Sequence, residues 1–228
     1  MQQVSTSTDC IKVYRYITQN MFSGAFQPGY KLIEKNIADA CNVSRTPVRL
    51  AIERVVSEGL AFRAPNCSAK VRQLSVEDII GLLSIRAVNE GLAARLAAQR
   101  ATAEQIQQLQ ALGQQMQQAN AAGQIAVYRK LAGDVHDEII AIAGNDYLRD
   151  LIAKIYSITH RYHMSVMSQP GRMDRSCEEH MQVIRYVVTG NGIEAEKAMN
   201  AHIMSIVHFF QDESNLAALR AISTLNWD

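Results

Sequence analysis

Helix breakers are scarce and unevenly placed. The 228 residues hold only four prolines and twelve glycines, which cluster and leave stretches of about twenty residues or more without either. Such stretches keep every backbone donor available for coiling and avoid the entropic cost of glycine. With 48% hydrophobic residues the chain has ample material for a core, and 6% aromatic content argues against a strand-rich sandwich or barrel. The expected class is mainly α.

The order of the elements changes once along the chain. Ile11, Tyr14, Ile17, Met21 and Phe22 recur at helical spacing, and Gly24 with Pro28-Gly29 closes that segment. A short helix is predicted from about Glu34 to Cys41. A third runs from about Arg45 to Glu58 with Ser44 as N-cap and Pro47 in its first turn, where a missing N–H costs nothing. Residues 60–73 read as a small hairpin around Pro65-Asn66. This is the order of a winged helix-turn-helix, assigned to residues 1–74. From residue 75 the breaks at Ala122-Gly123, Gly144-Asn145, Gln169-Pro170-Gly171 and Gly190-Asn191-Gly192 divide the remainder into six or seven helices, at about 76–99, 102–121, 124–143, 146–167, 174–189 and 193–211, with a short one to about 223. An antiparallel helical bundle over 75–228 follows.

Residues 1–75 carry ten Lys and Arg against five Asp and Glu, and the remainder thirteen against seventeen, so +5 faces −4. A basic first part suits a polyanionic partner. Cys10, Cys41, Cys67 and Cys177 are widely spaced, which fits free thiols better than disulfides or a thiolate zinc site. No apolar run reaches the roughly 20 residues of a membrane span, and Met1–Asp9 lacks a signal-peptide pattern, so no membrane partner and a cytoplasmic location are expected.

On the third helix Val48, Ile52, Val55 and Val56 form the apolar stripe, while Arg45, Thr46 and Arg49 project elsewhere together. Forked guanidinium donors fit guanine edges or phosphates, and the alternative is a solvated basic face. The segments SGAFQPGYKLIEKNIADACNVSRTPVRLAIERVVSEGL and APNCSAKV resemble the DNA-binding domain of GntR-type bacterial transcription regulators. The resemblance implies contacts to double-stranded DNA at Lys35, Arg45, Thr46 and Arg49, with Ser44 near the backbone and the wing tip from Asn66 to Ser68 at the minor groove. Leu50 departs from the usual Glu, and Cys67-Ser68 from the usual basic residue and glycine of the wing.

Three histidines fall on the inward faces of three predicted helices: His136 with Ile139 and Ile140, His180 with Ile184 and Val187, and His202 with Met199 and Ile206. If the last two helices form a hairpin at Gly190–Gly192, His180 and His202 sit at one level, about 15 Å from the turn. Converging neutral imidazoles suit Zn²⁺ or Ni²⁺; hydrogen-bonded core histidines are the alternative. His160 and His163 form a competing pair, and His208 lies on another face. The segments LLSIRAVNEGLAARLAA, VHDEIIAIAGNDYL, EEHMQVIRYVVTGNG and AEKAMNAHI resemble the FCD-type effector domain of the FadR subgroup. That resemblance implies a divalent metal held by His136, His180 and His202, and an effector carboxylate at Arg86. Ala132 stands where the family has an Asp or Asn ligand, which weakens the site, and Asp134 points about 200° away from His136 on an ideal helix. Arg86 could instead pair with Glu90 one turn on; Arg161 is a weaker candidate for the effector, and Tyr128, Tyr156 and Tyr162 for its walls.

These features predict a ligand-responsive transcription factor and not an enzyme, sensing a small carboxylate and binding an imperfect palindrome as a homodimer. The rivals are a metal-dependent enzyme at the three histidines and a dimeric repressor without an effector.

Overall fold

The computed structural model describes residues 2–22, 24–72, 74–166 and 171–211, with side chains from residue 8 onward except at 22, 160–166 and 210. These residues fall into two compact units that divide between Ser75 and Val76. Among them are nine helices and one two-stranded sheet. The mainly α class is therefore observed.

The first unit comprises α1 (Gln2–Phe22), α2 (Glu34–Cys41), α3 (Arg45–Ser57), β1 (Ala61–Phe62) and β2 (Lys70–Val71). Helix α1 begins some nine residues before the apolar periodicity that signals it, because its first turns carry polar residues. Val13 and Ile17 of α1 pack on Val48, Ile52 and Val55 of α3, all wholly buried. Ile37 and Cys41 of α2 close that core. The chain turns from α2 to α3 through Asn42, whose φ of +51° is left-handed, and the amine of Lys12 donates to the Cys41 carbonyl at 2.8 Å. The two strands pair antiparallel, Ala61 with Val71 and Phe62 with Lys70, and Lys31 bridges to Lys70 on the far side. Ser44 occupies the N-cap of α3, yet its hydroxyl makes no capping bond, so the expected side-chain cap is not formed.

The second unit holds α4 (Val76–Arg100), α5 (Ala103–Ala121), α6 (Ile125–Ala143), α7 (Asp146–Val166), α8 (Arg172–Val188) and α9 (Gly192–Gln211). The short helix expected to about 223 lies outside the described residues. Helix α4 runs along α9 and also meets α6, α7 and α8, and α5 packs on α6 and α8. Its closeness to α9 depends on Gly91, where a Cβ would stand 3.1 Å from the Glu196 carbonyl. Backbone cannot yield there as a side chain would. Thr102 and Gln105 form a reciprocal capping box at the start of α5, satisfying two donors that a bare helix end leaves open. Among the described residues no helix is long and apolar enough to cross a membrane.

Candidate functional site

In the first unit the start of α3 and the wing face a common groove. Lys35, Arg45 and Asn66 line it with Arg63, which sequence reasoning did not single out, in a space of about 500 Å³. Ser44, Thr46 and Arg49 are exposed beside it. Asn66 turns the wing tip with a left-handed φ of +58°. Glu34 grips Arg49 with both carboxylate oxygens, at 3.2 and 3.3 Å. Leu50 is 46% exposed next to Arg49, so an apolar side chain stands on the outward face.

In the second unit the structure brings His136 of α6, His180 of α8 and His202 of α9 together, with one ring nitrogen of each within 4.8 Å of the others. His180 and His202 do share a level, their ring centroids 4.1 Å apart. Each ring has its Nδ1 engaged by an acceptor. That of His136 meets Glu90 at 2.5 Å, that of His180 the Ser176 carbonyl at 2.6 Å, and that of His202 Glu179 at 2.8 Å. An Nδ1–H given to such an acceptor leaves Nε2 with its lone pair and fixes the ring's orientation. The Nε2 atoms of His136 and His180 face each other at 3.1 Å. Two lone pairs at that distance repel unless a proton or a cation lies between them.

Both glutamates are themselves held by arginines. Glu90 pairs with Arg86 one turn earlier on α4, and Glu179 with Arg172 at 3.1 Å. Burial alone would raise the Glu90 pKa, but the Arg86 charge and the hydrogen bond from His136 outweigh it and bring it down to about 2, so Glu90 is a carboxylate at neutral pH. Burial, and then the neighbouring His136, push His180 down to about 3, which keeps that imidazole neutral. Arg86 thus pairs with Glu90 as the alternative had it, but only 3% exposed rather than at the surface.

A cavity of about 440 Å³ opens beside His136 and His180, with Tyr128, Ile140, Ile152 and Tyr156 among its walls. Arg86 lies over the Tyr156 ring at 4.9 Å, and its buried Nη1 has no hydrogen-bond partner among the described residues. A buried donor left open costs free energy unless an acceptor reaches it. Ala132 lines the cavity and offers only a methyl group, while Asp134 pairs with Lys130 at 2.6 Å. The side chains of His160, Arg161, Tyr162 and His163 lie outside the described residues. His208 is exposed. Ser176, Glu179, Arg172 and Arg129 joined the site only in the structure, as did the contact of Glu90 with His136. A carboxylate next to or one turn from an inward Arg or His was the one sequence signal available.

Two family descriptions match the chain: "Bacterial regulatory proteins, gntR family" over residues 11–71 and "FCD domain" over residues 81–205. The chain is 29% identical over 186 residues to the Nta operon transcriptional regulator of Aminobacter aminovorans, covering 82% of this chain and 86% of that one. It is 25% identical over 195 residues to the HTH-type transcriptional repressor RspR of Escherichia coli, covering 86% of each. In fold it is similar to McbR/YncC of E. coli, with a TM-score of 0.71 at 20% identity over 91% of this chain and 99% of that one. The relatives and family descriptions are those of regulators, which sets aside the enzyme reading. The first match falls in the helix-turn-helix unit and the second in the helical bundle, and the chain belongs to the GntR family of bacterial transcription regulators, with an FCD domain.

Proposed function

We propose that this regulator is a cytoplasmic homodimer that senses a small carboxylate in residues 75–228 and reads an imperfect palindrome with residues 1–74. Arg45 and Arg49 take base edges or phosphates, Lys35, Ser44 and Thr46 position the backbone, and Asn66 brings the wing to the minor groove. His136, His180 and His202 hold one divalent ion of zinc or nickel type. The observation that carries this reading is the set of three engaged Nδ1 atoms, which turns the rings so that two Nε2 atoms face at 3.1 Å. Nitrogens about 2.0–2.1 Å from one ion stand about 2.9–3.4 Å apart at tetrahedral or octahedral angles, so this pair has the spacing of neighbouring ligands. When bound, the ion supplies positive charge for an effector carboxylate. Arg86, through its open Nη1, binds the same carboxylate from the other side. Arg161 stays a secondary candidate for that role.

Metal content of the purified full chain, followed by calorimetric titration with Zn²⁺ and Ni²⁺, tests the centre. One ion per chain is expected in the wild type and none in His180→Ala or His202→Ala, each still folded by circular dichroism. Full metal content in both variants, or none in the metal-replete wild type, overturns the centre and makes the histidines core residues.

A further inference from the structure

Of the three arginines that line the cavity, two are matched by carboxylates and one is not. Arg86 is matched by Glu90, and Arg149 at the mouth is matched by Asp146 at 2.6 Å and Asp150 at 3.3 Å. Arg129 also lines the cavity, yet it enters no ion pair among the described residues, and its buried Nε has no hydrogen-bond partner. Asp137 lies two turns on along α6, next to His136, and enters no ion pair with Arg129 among the described residues; burial raises its pKa. A guanidinium with a desolvated, unused donor facing a cavity is an incomplete anion site.

Its position relative to the histidines gives the shape of the missing partner. Arg129 and His136 are two turns apart on α6, nearly in line on one face and separated by about 10 Å along the axis. Between them on that face lie Ala132 and Gly133, the smallest side chains available, and both line the cavity. With only a methyl group at position 132 and none at 133, nothing on this face of α6 blocks the path. Resting on the carboxylate-sensing reading above, we infer that the effector carries two anionic oxygen groups on a short apolar spacer: one at the histidine cluster and Arg86, the second paired with Arg129. The spacer lies along Ala132 and Gly133, opposite Ile152. The second group is a carboxylate or a phosphoryl group, since either offers the paired oxygens a guanidinium fork accepts.

The test is calorimetric titration of the metal-loaded full chain with succinate, glutarate and adipate, with their monoacid counterparts butyrate, pentanoate and hexanoate, and with 4-phosphonobutyrate. At least one doubly anionic probe should bind ten times or more tighter than the monoacid of the same length. In Arg129→Met that gap should close while monoacid affinity stays as in the wild type, and Arg129→Lys should recover part of it. The phosphonate leading the diacids would retain the inference and assign the second group as phosphoryl. Monoacids and doubly anionic probes binding equally well, or a gap unchanged in folded Arg129→Met, would overturn the inference and leave the carboxylate-sensing reading standing. No binding by any probe would overturn both.

Discussion

At Ala132 a methyl group faces the cavity one turn before His136, where a carboxylate would complete the coordination of an ion held by the three imidazoles. Ala132→Asp should therefore tighten metal binding by about tenfold or more, roughly 1.4 kcal/mol. It should also weaken any effector that runs along this wall. Unchanged metal affinity in calorimetry would place the ion elsewhere. On the DNA side, Arg49 is held by Glu34 at the surface, where solvent screens the pair and leaves it weak. A bidentate guanine contact is worth about 1–3 kcal/mol and outcompetes it. Arg45→Ala and Arg49→Ala should each lose about that much operator affinity and relax sequence preference, whereas Lys35→Ala should weaken binding to all sequences alike and lower the salt slope. Wild-type affinity and selectivity in both arginine variants, read by gel shift, would remove α3 from the major groove. The inward facing of all three histidines was legible from periodicity and the shared level of His180 and His202 from turn arithmetic, because these depend on one helix or one hairpin; that His136 meets them was implied only by the resemblance. Glu179 was not: it adjoins His180 in sequence but serves His202 on the next helix, and that pairing depends on interhelical register.

Between α1 and α3 the first unit carries a polar clasp on top of its apolar core. The Tyr14 hydroxyl donates to Glu58 at 2.6 Å, Arg54 pairs with the same carboxylate at 2.8 Å, and its guanidinium lies 4.0 Å from the Tyr14 ring centroid. Burial, and then the hydrogen bond to Glu58, raise the Tyr14 pKa to about 12. In the unfolded chain the phenol titrates near 10. A raised folded value means the contribution is complete below pH 10 and is lost as pH rises from 10 through 12, because the unfolded state then releases a proton the folded state keeps. Tyr14→Phe should cost about 1 kcal/mol at neutral pH and show a flatter loss of stability between pH 10 and 12 in urea titrations. Coincident curves for the two proteins would show that the clasp contributes nothing. Helix interiors were the legible elements, since burial follows the apolar period. Their ends were less so. Helix α1 starts at Gln2 without an apolar signal, Ser44 sits at a cap without bonding as one, and Thr102 caps α5 unannounced. The strands of the wing are only two residues each, too short for an alternating pattern to register.

Over the whole molecule the charge separates as the two units do, +5 over residues 1–75 and −4 over the rest, so phosphate attraction belongs to the first unit and the second is free to bind small anions only where arginines and histidines override its net charge. A regulator that responds to an effector transmits through a difference in effector affinity between its DNA-bound and free states. If an effector changes operator affinity by some factor, saturating operator must change effector affinity by the same factor, and couplings of this kind are typically about 5–150-fold. Gel-shift titrations with and without the tightest-binding diacid, set against calorimetry of that diacid with and without operator, should return equal factors. His202→Ala should bring both to one by removing the metal centre, while Arg45→Ala should leave effector affinity in the free protein unchanged. Diacid binding with no effect on operator affinity would instead favour a repressor whose helical unit serves only to dimerise.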